Sequence, residues 1–437
     1  MRAGRSLSVR GWHRLILVLY AVFGLGYSLL WPTWEEIDER VHYQRSFFYA
    51  YGVSAPAENW ETFQPQLYYR LSSWPLMLLN GIDPSFINAD QPPTRHFGNV
   101  PRVLWNKENY QFLLGPHLLR WLNLILGGLA IHLVYKGVLR FVPESPALAP
   151  ATMALAGLTP NFLHFNAMVS NDALANLAGA FLFWLLSRVR SERASWREAV
   201  LMAGAGFLLP LIIKLTVLPI GVAVVLAAGW RLRSYWRTHW HLLLGSGTLL
   251  VAGLILGLVV FFPETASNLW LNLSVRSSHV RPAPFHRLGR TVLFFSWSYW
   301  GTISHGAPAL SSWLTVMLSG LLSAGWLASL QLLRGNERRA DALQLGRRTV
   351  WIIVWLAAGL ALLVVARNGL ATGRYQGRYL FPSIGALSLL ALAGWRVLLP
   401  SLTTRYLLHA TVLGMIGLNL WVWFVELIPV YYQPFLD

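Results

Sequence analysis

Apolar runs of about twenty residues recur along this chain, and short arginine clusters separate them. A run of that length constrains the backbone more than any motif does. Inside a bilayer no water can satisfy N–H and C=O groups, so each run must close its own hydrogen bonds as a helix. Only 12% of the residues are charged, about half of what a soluble domain carries. The expected fold class is therefore all-α, a polytopic membrane helix bundle of about eleven spans, and residues 1–437 are read as a single transmembrane domain.

The formal net charge of +17 raises the question of nucleic acid. The arginines do not form a stripe, however; they lie in clusters at every second connection between apolar runs, which is the positive-inside pattern. Nucleic acid is excluded as a partner on that ground, and membrane lipids are expected instead. The chain has no cysteine, so disulfides and thiolate chemistry are excluded. The basic start, with Arg2, Arg5, Arg10 and Arg14, precedes an apolar run that ends in Trp31-Pro32 rather than in a small-residue cleavage site. An uncleaved first helix is expected.

That helix covers about Arg14 to Trp31, with its basic flank in the cytoplasm. Residues 32–115 follow as a large first extracytoplasmic loop carrying interfacial helices near Arg40–Gly52 and Phe63–Pro75. Further spans are expected from Pro116 to Arg140, Ala147 to Leu163, and Asp172 to Arg188. Glu198–Ile213 and Leu215–Gly229 read as two short helices broken around Lys214. Leu242–Phe262 leads to a second extracytoplasmic loop, residues 263–307. Trp313–Leu333, Val350–Ala366, Tyr379–Val397 and Leu407–Leu427 complete the set. The alternation places the N-terminus in the cytoplasm and the C-terminus on the far side of the membrane.

The polar groups concentrate at the outer side. Glu35, Glu36, Asp38 and Glu39 place four of the eighteen acids directly after the first span. Asp38 and His42 are four apart and share a helix face. Such a pair accepts a proton, holds a divalent metal with help from Glu36 or Glu39, or simply faces water. Asp172 opens the fourth span, where it acts either as a helix cap or as a functional acid. Lys214 is one of three lysines and either snorkels to the interface or serves a site. Arg374 and Arg378 sit at the start of the penultimate span, suited to lipid headgroups or to a substrate anion. Trp297, Tyr299 and Trp300 are a weaker signal for an apolar groove or a sugar platform. No nucleotide fingerprint, phosphate-binding glycine loop or nucleophile elbow is present.

These strings, in this order, resemble the GT-C glycosyltransferase superfamily, closest to its poorly characterised bacterial branches. Asp38-Glu39-Arg40-Val41-His42 looks like the Asp-Glu-Pro-x-His motif of that group. Gln64-Pro65-Gln66-Leu67-Tyr68-Tyr69 is similar to Gln-Pro-Pro-Leu-Tyr-Tyr. Asn171-Asp172-Ala173-Leu174, Lys214-Leu215-Thr216 and Gln376-Gly377-Arg378-Tyr379-Leu380-Phe381-Pro382 fall where those families carry like strings. Arg40 and Gln66 each replace a proline, and neither change removes a carboxylate.

The resemblance implies an inverting transfer of a sugar from a polyprenyl-phosphate lipid to an acceptor outside the membrane. Asp38 or Glu39 would act as general base, and Asp172 would orient the acceptor or complete a metal site. His42, Tyr68, Lys214, Arg374 and Arg378 would bind substrate. A divalent metal at Asp38 and His42 is the one cofactor implied. A non-catalytic subunit of a larger complex on the same scaffold is the alternative, with unknown protein partners. A transporter is the third reading, although the paired broken helices of many carriers are missing. If the outer acids serve one site, the Asp38 and Asp172 carboxylates should approach within about 10 Å, with a basic group near, because buried carboxylates need a cation or water.

Overall fold

The computed structural model describes residues 7–33, 35, 37–52, 64–79, 110–190, 196–232, 288–303, 307–308, 310–334, 348–372 and 376–432. Among them the chain is all-helical, apart from one antiparallel pairing of Thr302–Ile303 with Ala307–Pro308. Among the described residues, seven helical stretches are long and apolar enough to cross a membrane. The expected span over residues 242–262 and Arg374 lie outside the described residues.

Helix α1, Val9–Leu30, starts at Ser8, whose hydroxyl accepts from the Gly11 N–H. After a short bend come α2, Ile37–Tyr51, and α3, Leu67–Met77, which pack on each other. These are the two helices expected in the first loop. Helix α4, Tyr110–Phe141, begins six residues before the expected start and carries Pro116 inside it. A proline there costs one backbone hydrogen bond without stopping the helix.

The third expected span divides. Its first part is α5, Leu148–Gly157, and its second is α6, Pro160–Asn166. The residue before a proline is pushed out of the helical region, and Thr159 is extended at φ −60°, ψ 122°. Helix α7, Asp172–Leu186, follows.

The break at Lys214 is as the sequence indicates. Helix α8, Trp196–Ile212, ends there, Lys214 is extended, and a short turn leads into α9, Leu218–Arg231. Both are shorter than the roughly twenty residues of a full span. They fold back as a hairpin because Gly206 and Gly221 let the two backbones touch. A Cβ on Gly221 would lie 2.3 Å from the Gly206 carbonyl oxygen. Lys214 thus occupies the tip of the hairpin.

Residues 288–300, read from sequence as part of a loop, form helix α10, Leu288–Trp300. Its apolar and aromatic content suits packing on α6 and on the segment carrying Arg378, as found. Helix α11 is Ser312–Ser329 and α12 is Arg348–Thr372. A tight 3-10 segment, Gly377–Ser383, leads into α13, Ile384–Leu398. Helix α14, Thr404–Trp421, passes through a π-helical turn into α15, Ile428–Tyr432.

Helix α13 is the centre of the bundle. The span Gly377–Leu398 is 94% buried, against 28% for Ser312–Leu333. It packs on α5, α7, α11 and α12. Small residues make this possible, as is usual where helices meet in lipid. Gly325 of α11 and Gly394 of α13 bring their backbones into contact. Gly179 of α7 does the same against Pro382, which fixes the 3-10 segment at the end of the bundle where α1 finishes.

Candidate functional site

Four charged side chains gather at that end as two ion pairs. Arg378 donates from Nη2 to Asp38 Oδ2 at 2.8 Å. Lys214 donates from Nζ to Asp172 Oδ1 at 2.5 Å and to Asn171 Oδ1 at 2.7 Å. Their elements come from four separate parts of the chain: α2, the 3-10 segment before α13, the start of α7 and the α8–α9 hairpin tip. The pairs also sense each other. The charges of Arg378 and His42 reach Asp172, and that of Lys214 reaches Asp38. Each acid thus has a basic partner and feels the charge of the other pair's cation.

Each side chain is held by its neighbours. Gln376 Oε1 accepts from Arg378 Nε at 2.9 Å, and the Arg378 guanidinium lies over the Phe165 ring. The Gly377 N–H donates to Ser298 Oγ, which anchors the 3-10 segment to α10. Asn171 donates to Gln64 Oε1 at 3.4 Å. The turn before Asp172 is fixed by Asn123 of α4, whose amide donates to the Met168 and Ser170 carbonyls. The Ser170 hydroxyl accepts from the Asp172 N–H at 3.2 Å. Asp172 itself caps nothing; its carboxylate is turned to Lys214.

Both pairs keep a small opening. Side-chain exposure is 16% for Asp38, 12% for Arg378, 11% for Asp172 and 12% for Lys214. Burial raises the Asp38 carboxyl, but Arg378, His42 and Lys214 together outweigh it and hold the group below its ordinary value of 3.8. Asp38 is ionised at neutral pH. Lys214 is engaged at the site rather than drawn away to the interface.

Glu39 and Tyr68 are placed differently from Asp38. Neighbouring positions on a helix diverge by about 100°, and Glu39 turns into the protein. Both its side chain and that of Arg120 on α4 are 0% exposed, and the two form a bidentate pair at 2.6 and 2.7 Å. The Val169 N–H donates to the same carboxylate at 3.0 Å. Arg120 also donates to the Ser28, Trp31 and Pro32 carbonyls, in the last turn of α1 and just beyond it. This closed network ties α1, α2, α4 and the 167–171 turn together and leaves Glu39 little room for chemistry. Tyr68 is buried with its hydroxyl paired to Asn123, and burial first of all pushes its phenol far up, so it is a neutral hydrogen-bonding group.

Arg120 was the residue missed by sequence reasoning. Its signal was present: a lone arginine in an apolar run near a span end requires a partner. His42 shares the α2 face with Asp38 as expected. Its Nδ1 is 2.9 Å from the Tyr69 hydroxyl and its ring stacks on that tyrosine. With Asp38 on Arg378 and His42 on Tyr69, both proposed metal ligands are engaged elsewhere. Among the described residues no group of three or more His, Cys, Asp or Glu side chains converges on a metal position.

Fold and site together define a polytopic all-α membrane protein with two cation-matched carboxylates in a partly open cluster at one end of the bundle. No protein-family model, curated protein or solved structure matches the chain.

Proposed function

We propose that the chain is a glycosyltransferase that takes a sugar from a polyprenyl-phosphate lipid and passes it to an acceptor on the extracytoplasmic side. The observation that carries this reading is the pairing of Asp38 with Arg378 beside the pairing of Asp172 with Lys214. Two carboxylates and two cations in one small cluster match the needs of a phosphate leaving group and a hydroxyl nucleophile.

The chemistry is an exchange of partners. The phosphodiester of the donor attracts Arg378 and Lys214, which are charge-assisted donors suited to phosphate oxygens. As Arg378 turns to the phosphate, Asp38 loses its strongest cation and becomes a better base. The acceptor hydroxyl gives its proton to Asp38. Its oxygen bonds to the anomeric carbon, the bond from that carbon to the phosphate oxygen breaks, and the configuration inverts. The lipid phosphate departs with its charge balanced by Arg378 and Lys214. Asp172 orients the acceptor once Lys214 has moved. Glu39 belongs to the scaffold that aims α2 rather than to the reaction.

The same reading sets the topology. The arginine clusters put the N-terminus in the cytoplasm of a bacterial cell, the inner membrane around about eleven spans and the two ion pairs outside.

One observation favours a non-catalytic subunit instead: each acid is already matched by a cation, as in purely structural pairs. Purified protein incubated with polyprenyl-phosphate sugars and candidate acceptors separates the two. Transfer by the wild type that vanishes in Asp38→Asn supports the enzyme. Equal transfer by both removes Asp38 from the mechanism, and absence of transfer together with co-purification in a larger assembly favours the subunit.

A further inference from the structure

At the opposite end of α1 a second charged cluster lies on the exposed side of the bundle. Helix α1 spans about 33 Å at 1.5 Å per residue, so this cluster is distinct from the Asp38 site. His13 Nε2 on α1 and His132 Nδ1 on α4 are 3.0 Å apart. His13 also stacks on Tyr135, with ring centroids 4.3 Å apart. The pair closes the seam between the two antiparallel helices.

Cations surround this seam. Arg14 and Lys136 both act electrostatically on His13, Lys136 acts on His132, and Arg10 acts on Tyr135. Arg10, Arg14 and Lys136 are all exposed. Among the described residues no carboxylate pairs with any of them.

The apolar surface continues from the same cations. On α1, Arg14 heads a stripe of exposed Val18, Val22 and Leu25 at helical spacing. On α4, Lys136 heads exposed Leu129 and Ile125. The arrangement is amphiphilic: two exposed cations, each heading an exposed apolar stripe of the length that a lipid chain would follow. A free anion has no use for the stripes, and a zwitterionic lipid has no use for uncompensated cations.

We propose that the seam between α1 and α4 binds one anionic phospholipid, its phosphodiester between Arg14 and Lys136 and its acyl chains along the two stripes. The histidine pair is the floor of the headgroup position, and Arg10 guards its rim. The lipid staples α1 to α4, the two helices whose far ends carry Ser28, Arg120 and the network around Glu39. The site is independent of what the Asp38 cluster does.

Native mass spectrometry of the full-length protein in detergent, with phosphatidylglycerol and phosphatidylethanolamine supplied together, tests the site. The wild type should retain phosphatidylglycerol selectively. Arg14→Gln/Lys136→Gln should weaken that retention by on the order of tenfold. Arg334→Gln/Arg348→Gln removes the same charge from exposed positions elsewhere and should retain the lipid. A melting midpoint raised by phosphatidylglycerol in the wild type, and unmoved by it in the first variant, gives the same answer from folded protein. Equal retention in the two double variants overturns the proposal. So does displacement of the lipid by millimolar inorganic phosphate, which would mark a simple anion site.

Discussion

Arg378 and Asp38 are 340 positions apart in the chain, yet the guanidinium meets the carboxylate at 2.8 Å. The segment that carries Arg378, Gly377–Ser383, holds no acid of its own. Each is made tolerable at low exposure by the other, since burying a lone charge is costly. The pair therefore joins α2 to the central helix of the bundle and sets the resting state of the site.

A pH profile tests this relationship. Asp38 has a depressed pKa, so its ionised form and the stability of its ion pair persist above the unfolded value. They are lost only as pH falls through the folded value, below 3.8. In Arg378→Gln burial remains and the main opposing cation is gone, so the carboxyl titrates higher. On the proposed function, the acid limb of the sugar-transfer rate should move upward in pH in this variant. A profile whose acid limb stays in place would deny Asp38 the role of base.

Removal of Lys214 should lower turnover beyond what any loss of stability explains. Lys214→Met leaves Asp172 without its direct partner but with the field of Arg378. If Lys214 stabilises the departing phosphate, the rate should fall by about 10²–10³-fold. Steady-state kinetics with a lipid-linked sugar measure it, and a change confined to KM would point to ground-state binding alone.

The buried pair of Glu39 and Arg120 predicts a stability effect. Glu39→Gln leaves Arg120 charged at 0% exposure, and breaking such a pair costs about 3–5 kcal/mol. The melting midpoint in detergent should drop well below that of wild type. Glu39→Gln/Arg120→Met should recover much of the loss, since no charge is then stranded. Should the single variant melt like the wild type, the network would carry less of the scaffold than its geometry indicates.

Gly179 offers a test at a distance from the charges. A Cβ there would lie 2.1 Å from the Pro382 carbonyl oxygen, and a backbone atom cannot swing aside. Gly179→Ala should push the 3-10 segment and Arg378 off their positions, at a cost of about 1–3 kcal/mol for overpacking. Activity should fall more steeply than in Gly320→Ala, where a Cβ meets open space. Equal activity in the two variants would detach Arg378 from its packing.

The sequence by itself determined the class and most of the elements. Apolar runs must become helices in lipid whatever surrounds them, so α1, α4, α11, α12, α13 and α14 were legible. The break at Lys214 and the two helices after α1 were legible as local interruptions of hydrophobicity. Asp38, His42, Asp172, Lys214 and Arg378 stood out because charge in or beside a span is expensive and needs a reason.

The tertiary structure alone decided which charge meets which. Asp38 and Glu39 are adjacent and chemically alike, and the sequence offered both as bases. Their helix sends one to Arg378 in a partly open cluster and the other to Arg120 in a sealed one. That choice depends on a rotation of about 100° and on what α4 presents there. No string of residues in α2 records it, because the partners come from elements 81 and 340 positions away and are brought near only when the bundle packs.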